Sequence, residues 1–403
     1  MLFVASTITR KIMVHNHPPQ VALMVATSHG FGRDILRGIL RYEMLHGPWD
    51  VYTVPGGRQE LKLPMMRPMG KRGIIAHVVS PRIAKEVSNA KLPTVSIFPT
   101  DDIPNVGKSL RNFAEVRLDS RAIGVMAAQH LLECRFTHFG VVGEVYAADW
   151  SMLRADAFTE TVVSHGYTAS VYPMPPSSKQ SWIVEQKRLT KWLQSLPKPV
   201  GIFAATDFLA RNVIEACKLI HINVPEDVAV VGVDNDDLFC ETTSPKLSSV
   251  AIDTERAGYE AAKTLNGLMH GEKMVPTTCF GPLRVVVRRS SDVFLVDDLL
   301  VRQAVNFIRD NYAQPITVHN VVKVLDVSRR QLEIRFQKVL GHTVFDEIKK
   351  RRLQQVCTLL LETDFSLEQI AEISGYQSKN YLVNVFRKEF RTTMIAFRKT
   401  YQK

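Results

Sequence analysis

The sequence predicts a multidomain protein: a bilobal α/β part built on parallel sheets, followed by an all-α part with two helix–turn–helix units. Three observations carry this. The chain has 403 residues, more than one hydrophobic core serves. Short apolar runs alternate with helical patterns from Val21 to about Asp234. Over the last hundred residues the strand pattern vanishes, and one capped pair of helices is written twice.

In the α/β part, VALMVAT opens a strand at Val21. A helix from Arg33 to His46, the strands WDVYTV and GIIAHVV, a further helix and TVSIF follow. The alternation then resumes: a helix over 119–134, FGVVG, a helix over 153–165, VYPM, a helix over 182–195, GIFAAT, a helix over 207–220 and VAVVGVD. Strand–helix alternation implies parallel sheets covered on both faces, and two such units imply two lobes with a cleft between them.

Open α/β sheets bind ligands at the carboxyl ends of their strands. Arg33 follows the first strand there, Trp150 and Arg154 follow FGVVG, Thr206 and Asp207 follow GIFAA, and Asp234 follows VAVVGV. Carboxylates, arginines and an aromatic ring suit a small sugar, whose hydroxyls need donors and acceptors and whose apolar face needs a flat partner. Each residue also has a plainer role: Asp207 as a helix cap, Trp150 as core, Arg33 paired with a neighbouring acid. The stretch SHGFGR places glycines between strand and helix, but it lacks the third glycine of a dinucleotide fingerprint.

In the helical part, Leu367, Ile370 and Ala371 fall at helical spacing and Gly375 marks a turn with φ > 0. Ser378 caps a second helix whose inner stripe is Leu382, Val385 and Phe386. Its outer stripe is Asn380, Val383, Asn384 and Arg387, with Lys379 and Lys388 beside it. Asparagine bonds adenine, and lysine or arginine bonds guanine or phosphate, so this face suits a DNA major groove. A single such pair is equally an ordinary αα-hairpin with a solvated face. The second copy decides between them. Fifty residues upstream Ser328 caps, Leu332 and Phe336 take the inner positions, and Arg329, Arg330, Glu333 and Ile334 lie outward. Between the copies, FDEIKKRRLQQVCTLLLE reads as a connecting helix, which lets two recognition helices address successive major grooves roughly 34 Å apart.

Charge agrees with this division. From Leu300 to Lys403 there are 18 Lys and Arg against 10 Asp and Glu, a net +8 of the chain's +11. The basic field therefore belongs to the helical part and points to double-stranded DNA as its partner. The five cysteines are scattered with no CxxC spacing, which reads as a reducing cytoplasm, and MLFVASTITRKIMV lacks the pattern of a signal peptide. No run is long enough to span a membrane. No P-loop, metal-ligand spacing or nucleophile–base motif is present, so no catalytic residue, metal or cofactor is expected.

Arg352-Leu353 followed by IAEISGYQS and the spaced Tyr381-Leu382, Phe386 and Phe390 resembles the AraC family of DNA-binding domains over about 290–403. The family continues with Gly, Thr-Pro and Tyr-Arg, where this chain has Arg391, Thr393-Met394 and Phe397-Arg398; Ile334 also stands where the family carries arginine. Thr206-Asp207 with Ala210, VPEDVAVVGVDND, Pro245 with Leu247, and Gly258 with Ala261-Ala262 resemble the LacI/GalR and periplasmic sugar-binding fold over roughly 110–290. That resemblance implies hydroxyl contacts by Arg154 and Asp234; Thr206 takes a position often held by asparagine.

An effector domain placed before an AraC-type reader is similar to the xylose-regulator type of transcription factor. It implies a homodimer, a sugar such as xylose or a related monosaccharide as effector, and contact with RNA polymerase if the protein activates. The expected boundaries are an N-terminal extension over 1–19, the effector domain over 20–289, a linker over 290–300 and the DNA-binding domain over 301–403, with helix–turn–helix units at 316–340 and 366–390. Competing classes are a solute-capture protein and a sugar-processing protein without DNA readout.

Overall fold

The computed structural model describes residues 18–401 apart from 54–55, 58–60, 67–69, 79, 99–111, 145–148, 174–180, 274–276 and 294–297. The segment read against a signal peptide and most of the expected N-terminal extension lie outside the described residues.

Two compact units emerge. The first comprises residues 1–119, 148–150 and 252–281, and the second 120–147, 151–251 and 282–403. The first lobe holds a six-stranded sheet of β1 (Gln20–Met24), β2 (Asp50–Thr53), β3 (Arg72–Ala76), β4 (Thr94–Ile97), β5 (Phe113–Leu118) and β11 (Thr277–Phe280), ordered 11-5-4-3-1-2. Every pair in it is parallel. Helices α1 (Gly30–His46) and α8 (Thr254–Met269) cover one face, where Ile35, Ile39, Ala261 and Leu265 bury against Val21, Leu23 and Val95. Helix α2 (Pro81–Ala90) covers the other face through Ile83 and Val87. Both faces being buried explains why β1 reads as a continuous apolar run rather than an alternating one.

The second lobe repeats the plan with β6 (His138–Val142), β7 (Ala169–Val171), β8 (Val200–Ala204), β9 (Val228–Val233), β10 (Ser248–Ile252) and β12 (Pro282–Val286), ordered 12-10-9-8-6-7. Its helices are α3 (Ser120–Glu133), α4 (Asp149–Ser164), α5 (Trp182–Ser195), α6 (Asp207–Leu219) and the short α7 (Asp237–Thr242). The order reverses between β6 and β8, which opens a crevice at their carboxyl ends.

The helical part continues from this lobe with α9 (Leu299–Asn311), α10 (Val318–Leu325), α11 (Arg329–Leu340), α12 (Val344–Glu362), α13 (Leu367–Ile373), α14 (Lys379–Phe390) and α15 (Met394–Tyr401). It has two cores. Val301, Ile308, Val321, Leu332 and Phe336 close around Val344 and Ile348. Ile370, Leu382 and Phe386 close around Leu353, Val356 and Leu360. Both are built on α12, whose two halves serve one each, so a single helix roughly 28 Å long fixes the spacing of the two helix pairs.

Two helices begin earlier than their sequence patterns. Helix α4 starts at Asp149 rather than 153, and α1 at Gly30 rather than Arg33. In SHGFGR a Cβ at position 32 would lie 1.7 Å from the Ala26 carbonyl oxygen, so close packing of α1 on the end of β1 accounts for Gly32. The expected linker is partly built into the second sheet: Ser290 and Ser291 are fully buried, and Ser290 Oγ donates to the Val230 carbonyl at 2.6 Å.

Candidate DNA-binding helices and effector site

Each helix pair is set by the same capping chemistry. Capping boxes, Thr317 with Asn320 and Ser366 with Gln369, start α10 and α13. The hydroxyls of Ser328 and Ser378 accept the backbone N–H groups of Gln331 and Tyr381 and start α11 and α14. The turn before α14 passes through Gly375 at φ 74°, where a Cβ would meet the Tyr312 carbonyl oxygen at 2.4 Å. In the first copy Asp326 takes the left-handed position, at φ 51°. Arginines seal both units: Arg352 donates to the carbonyls of Tyr312, Gln314 and Ile316, and Arg398 to those of Leu360, Thr363 and Phe365.

Arg329, Arg330 and Ile334 lie exposed on α11, and Lys379, Asn380, Asn384, Arg387 and Lys388 on α14. Lys379 pairs with Glu368 at the start of α13. The other two expected positions work inward. Glu333 is half-buried and its Oε2 accepts the Val344 N–H at 3.3 Å, while half-buried Val383 packs on the second core. Tyr381, 52% exposed in the first turn of α14, stands beside this face. The sequence pattern missed it because a stripe drawn through Asn380 and Asn384 passes it by.

In the second lobe the expected ligand residues gather at the reversal of strand order. Arg154 is 4% exposed and its Nη1 donates to the Ala205 carbonyl, just past β8, at 2.6 Å. Thr206 caps α6, its hydroxyl accepting the Leu209 N–H at 3.3 Å. Asp207 is 1% exposed; Oδ1 accepts from Ser249 Oγ at 2.6 Å, and Oδ2 from the Asp236 N–H at 2.8 Å and Cys240 Sγ at 3.5 Å. Burial pushes its carboxyl well above the usual range, the charge of Asp234 adds to that, and these hydrogen bonds oppose it. Asp234 and Asn235 turn the chain at φ 103° and 52°. Phe208 and Phe239 meet edge to face at 6.0 Å on the helices that follow β8 and β9.

Trp150 sits half-buried in the first turn of α4. In the first lobe Arg33 is half-buried and its Nη1 closes the turn after β1 by donating to the Thr27 carbonyl at 3.1 Å. The ring of Phe31 lies 5.1 Å from Phe98 and 5.9 Å from His77. The sequence reading named none of these rings, although Phe31 lies inside SHGFGR and Phe98 ends TVSIF; nothing in strand periodicity separates an aromatic residue at a strand end from a core one.

A compact ion cluster joins the second lobe to the first helix pair. Arg351 pairs with Asp292 and donates from Nε to Glu347 Oε1 at 3.0 Å; Glu347 Oε2 lies 3.0 Å from His342 Nε2. Burial would raise the Glu347 carboxyl, but the Arg351 charge and these hydrogen bonds outweigh it and hold it below its usual value. Arg309 Nη1 donates to the Asp292 carbonyl, and Arg135, in the turn after α3, donates to the Val339 carbonyl near the end of α11, each at 3.0 Å.

Comparison with known proteins matches two parts of the chain. A periplasmic binding protein-like domain matches residues 128–291, and a helix-turn-helix domain matches residues 321–400. The xylose operon regulatory protein of Haemophilus influenzae is 32% identical over 387 residues, 94% of this chain and 98% of that protein. Its counterpart in Escherichia coli is 30% identical over 383 residues, 94% of this chain and 96% of that protein. A solved structure of a xylose-binding transcription activator matches with a TM-score of 0.62 and 29% identity, over 95% of this chain and 98% of that one.

Proposed function

Because the chain belongs to the family of xylose operon regulatory proteins, we propose that it is a sugar-controlled transcription regulator that reads duplex DNA with α11 and α14. The observation that carries this reading is the repetition of one capped helix pair on a single helix, each copy turning an exposed cationic or amide face outward. Arg330, Asn380 and Asn384 read base edges; Arg329, Lys379, Arg387 and Lys388 hold phosphates, and Ile334 offers an apolar contact to a thymine methyl. The effector is xylose or a related monosaccharide, its hydroxyls bonded by Arg154 and Asp234, with Arg33, Trp150 and Thr206 as further contacts.

Two protomers act together on paired half-sites, which raises the effective concentration of each reader. When it activates, the bound dimer contacts RNA polymerase. The protein works in the cytoplasm and performs no catalysis; among the described residues no helix is long and apolar enough to cross a membrane.

The test is binding of the purified chain to duplex DNA from upstream of xylose-utilisation genes, across a salt series. Affinity that falls linearly in log–log with salt, through counterion release, supports the reading. Xylose turnover without duplex affinity at low salt would replace it with the sugar-processing alternative.

A further inference from the structure

The turn that carries Asp234 has no regular structure of its own, so its shape depends on where its three successive N–H groups go. Asp234 N–H donates to the Val250 carbonyl at 3.1 Å, Asn235 N–H to Ser249 Oγ at 3.0 Å, and Asp236 N–H to Asp207 Oδ2 at 2.8 Å. Ser249 Oγ in turn donates a hydrogen bond to Asp207 Oδ1 at 2.6 Å. Two of the three N–H groups therefore end on one carboxylate, directly or through one hydroxyl. The turn needs that support. Asp234 and Asn235 are non-glycine residues at φ 103° and 52°, a region that side chains enter only when the surroundings fix them.

Both carboxylate oxygens of Asp207 are engaged within the protein. Its oxygens take Ser249, Asp236 and Cys240, and the residue is 1% exposed. Ser249 is likewise fully buried. We infer that Asp207 is a positioning residue of the effector site: with Ser249 it clamps the Asp234–Asp236 turn so that Asp234 is held ready for a ligand hydroxyl, and it does not touch the ligand itself.

Chemistry favours a carboxylate here. An amide at position 207 keeps the shape but puts an NH₂ donor where an N–H or O–H already points, leaving one buried donor unpaired. From the other side Arg288 steadies the turn, its Nη1 donating to Asn235 Oδ1 at 2.9 Å.

This inference rests on the proposed ligand role of Asp234, and a double-mutant cycle separates the two. Xylose affinity is measured by calorimetry on the full-length chain carrying Asp207→Asn, Asp234→Ala or both, with Ser249→Ala as a milder break of the same clamp. If Asp207 acts through Asp234, Asp207→Asn weakens binding on the order of tenfold in the otherwise unchanged chain. In the Asp234→Ala background it adds less than about twofold, because interacting sites are not additive. Ser249→Ala follows the same pattern with a smaller first step. Equal penalties from Asp207→Asn in both backgrounds, or no penalty in the unchanged chain, overturn the clamp while leaving the site in place. An Asp234→Ala variant that binds xylose as tightly as the unchanged chain removes the site reading, and the clamp with it.

Discussion

His130 illustrates how one half-buried side chain sets a response of the chain to pH. Its Nε2 lies 2.8 Å from Ser291 Oγ, and burial lowers its pKa to about 4 against a small opposing pull from Asp292. Between pH 6.5 and about 4 the unfolded chain holds a proton that the folded chain does not, so stability falls as pH drops through that window, by up to about 1.4 kcal/mol per unit. Denaturation midpoints across the window should show this slope, and His130→Gln should flatten it. Arg391 poses a different single-residue question. It ends α14 at φ 53°, in the position that Gly341 fills at φ 76° after α11. A side chain in that region is strained, so Arg391→Gly should raise stability by about 0.5–1 kcal/mol, read as a higher midpoint in urea. The departure from the family pattern at 391 was legible in the sequence, and the left-handed backbone at Arg391 shows that the chain bears the strain there.

At the scale of elements, legibility followed the locality of the signal. Ser328 and Ser378, with Leu332 over Leu382 and Phe336 over Phe386, contain the whole instruction for α11 and α14 within a dozen residues, and both helices begin right after their caps. Strands β5, β10, β11 and β12 and helices α8 and α9 had no counterpart in the pattern reading. β11 pairs with β5 across more than 150 residues of sequence, and only tertiary pairing fixes such a four-residue strand. Glu333 and Val383 mark the limit on the reader face, because helical spacing gives a direction and not what packs there. The two helices should divide their work accordingly. Arg330→Ala and Asn384→Ala should each cost roughly 1–3 kcal/mol on the specific site and relax preference at particular base pairs. Arg387→Ala or Lys388→Ala should weaken all duplexes alike and lower the salt slope. Competition binding against a randomised duplex pool distinguishes these outcomes, and unchanged sequence preference in the first two variants would reject the assignment.

For the whole molecule, the chain reads as an effector part followed by a reader, but its compact units are discontinuous: residues 252–281 return to the first lobe before the chain leaves through β12. Local pattern cannot announce such a return. Its consequence is that the reader is fastened to the second lobe, through Asp292, Arg351, Glu347 and the Arg135–Val339 bond. A cavity of about 680 Å³ lies beside these bonds, lined by Arg284–Val287 at the end of β12 and by residues of α12 such as Lys350, Gln354 and Thr358. Charged bonds beside open space rearrange more readily than an interdigitated core, and the proposed response to sugar needs a joint with two arrangements. Xylose can shift such an equilibrium only if it binds the two arrangements with different affinities. The most direct test is therefore operator affinity of the full-length chain measured with and without saturating xylose, alongside Arg154→Ala and Asp234→Ala. A sugar-dependent shift that both substitutions abolish is the predicted result; the full shift retained in both variants, or no shift in the unchanged chain, would contradict it.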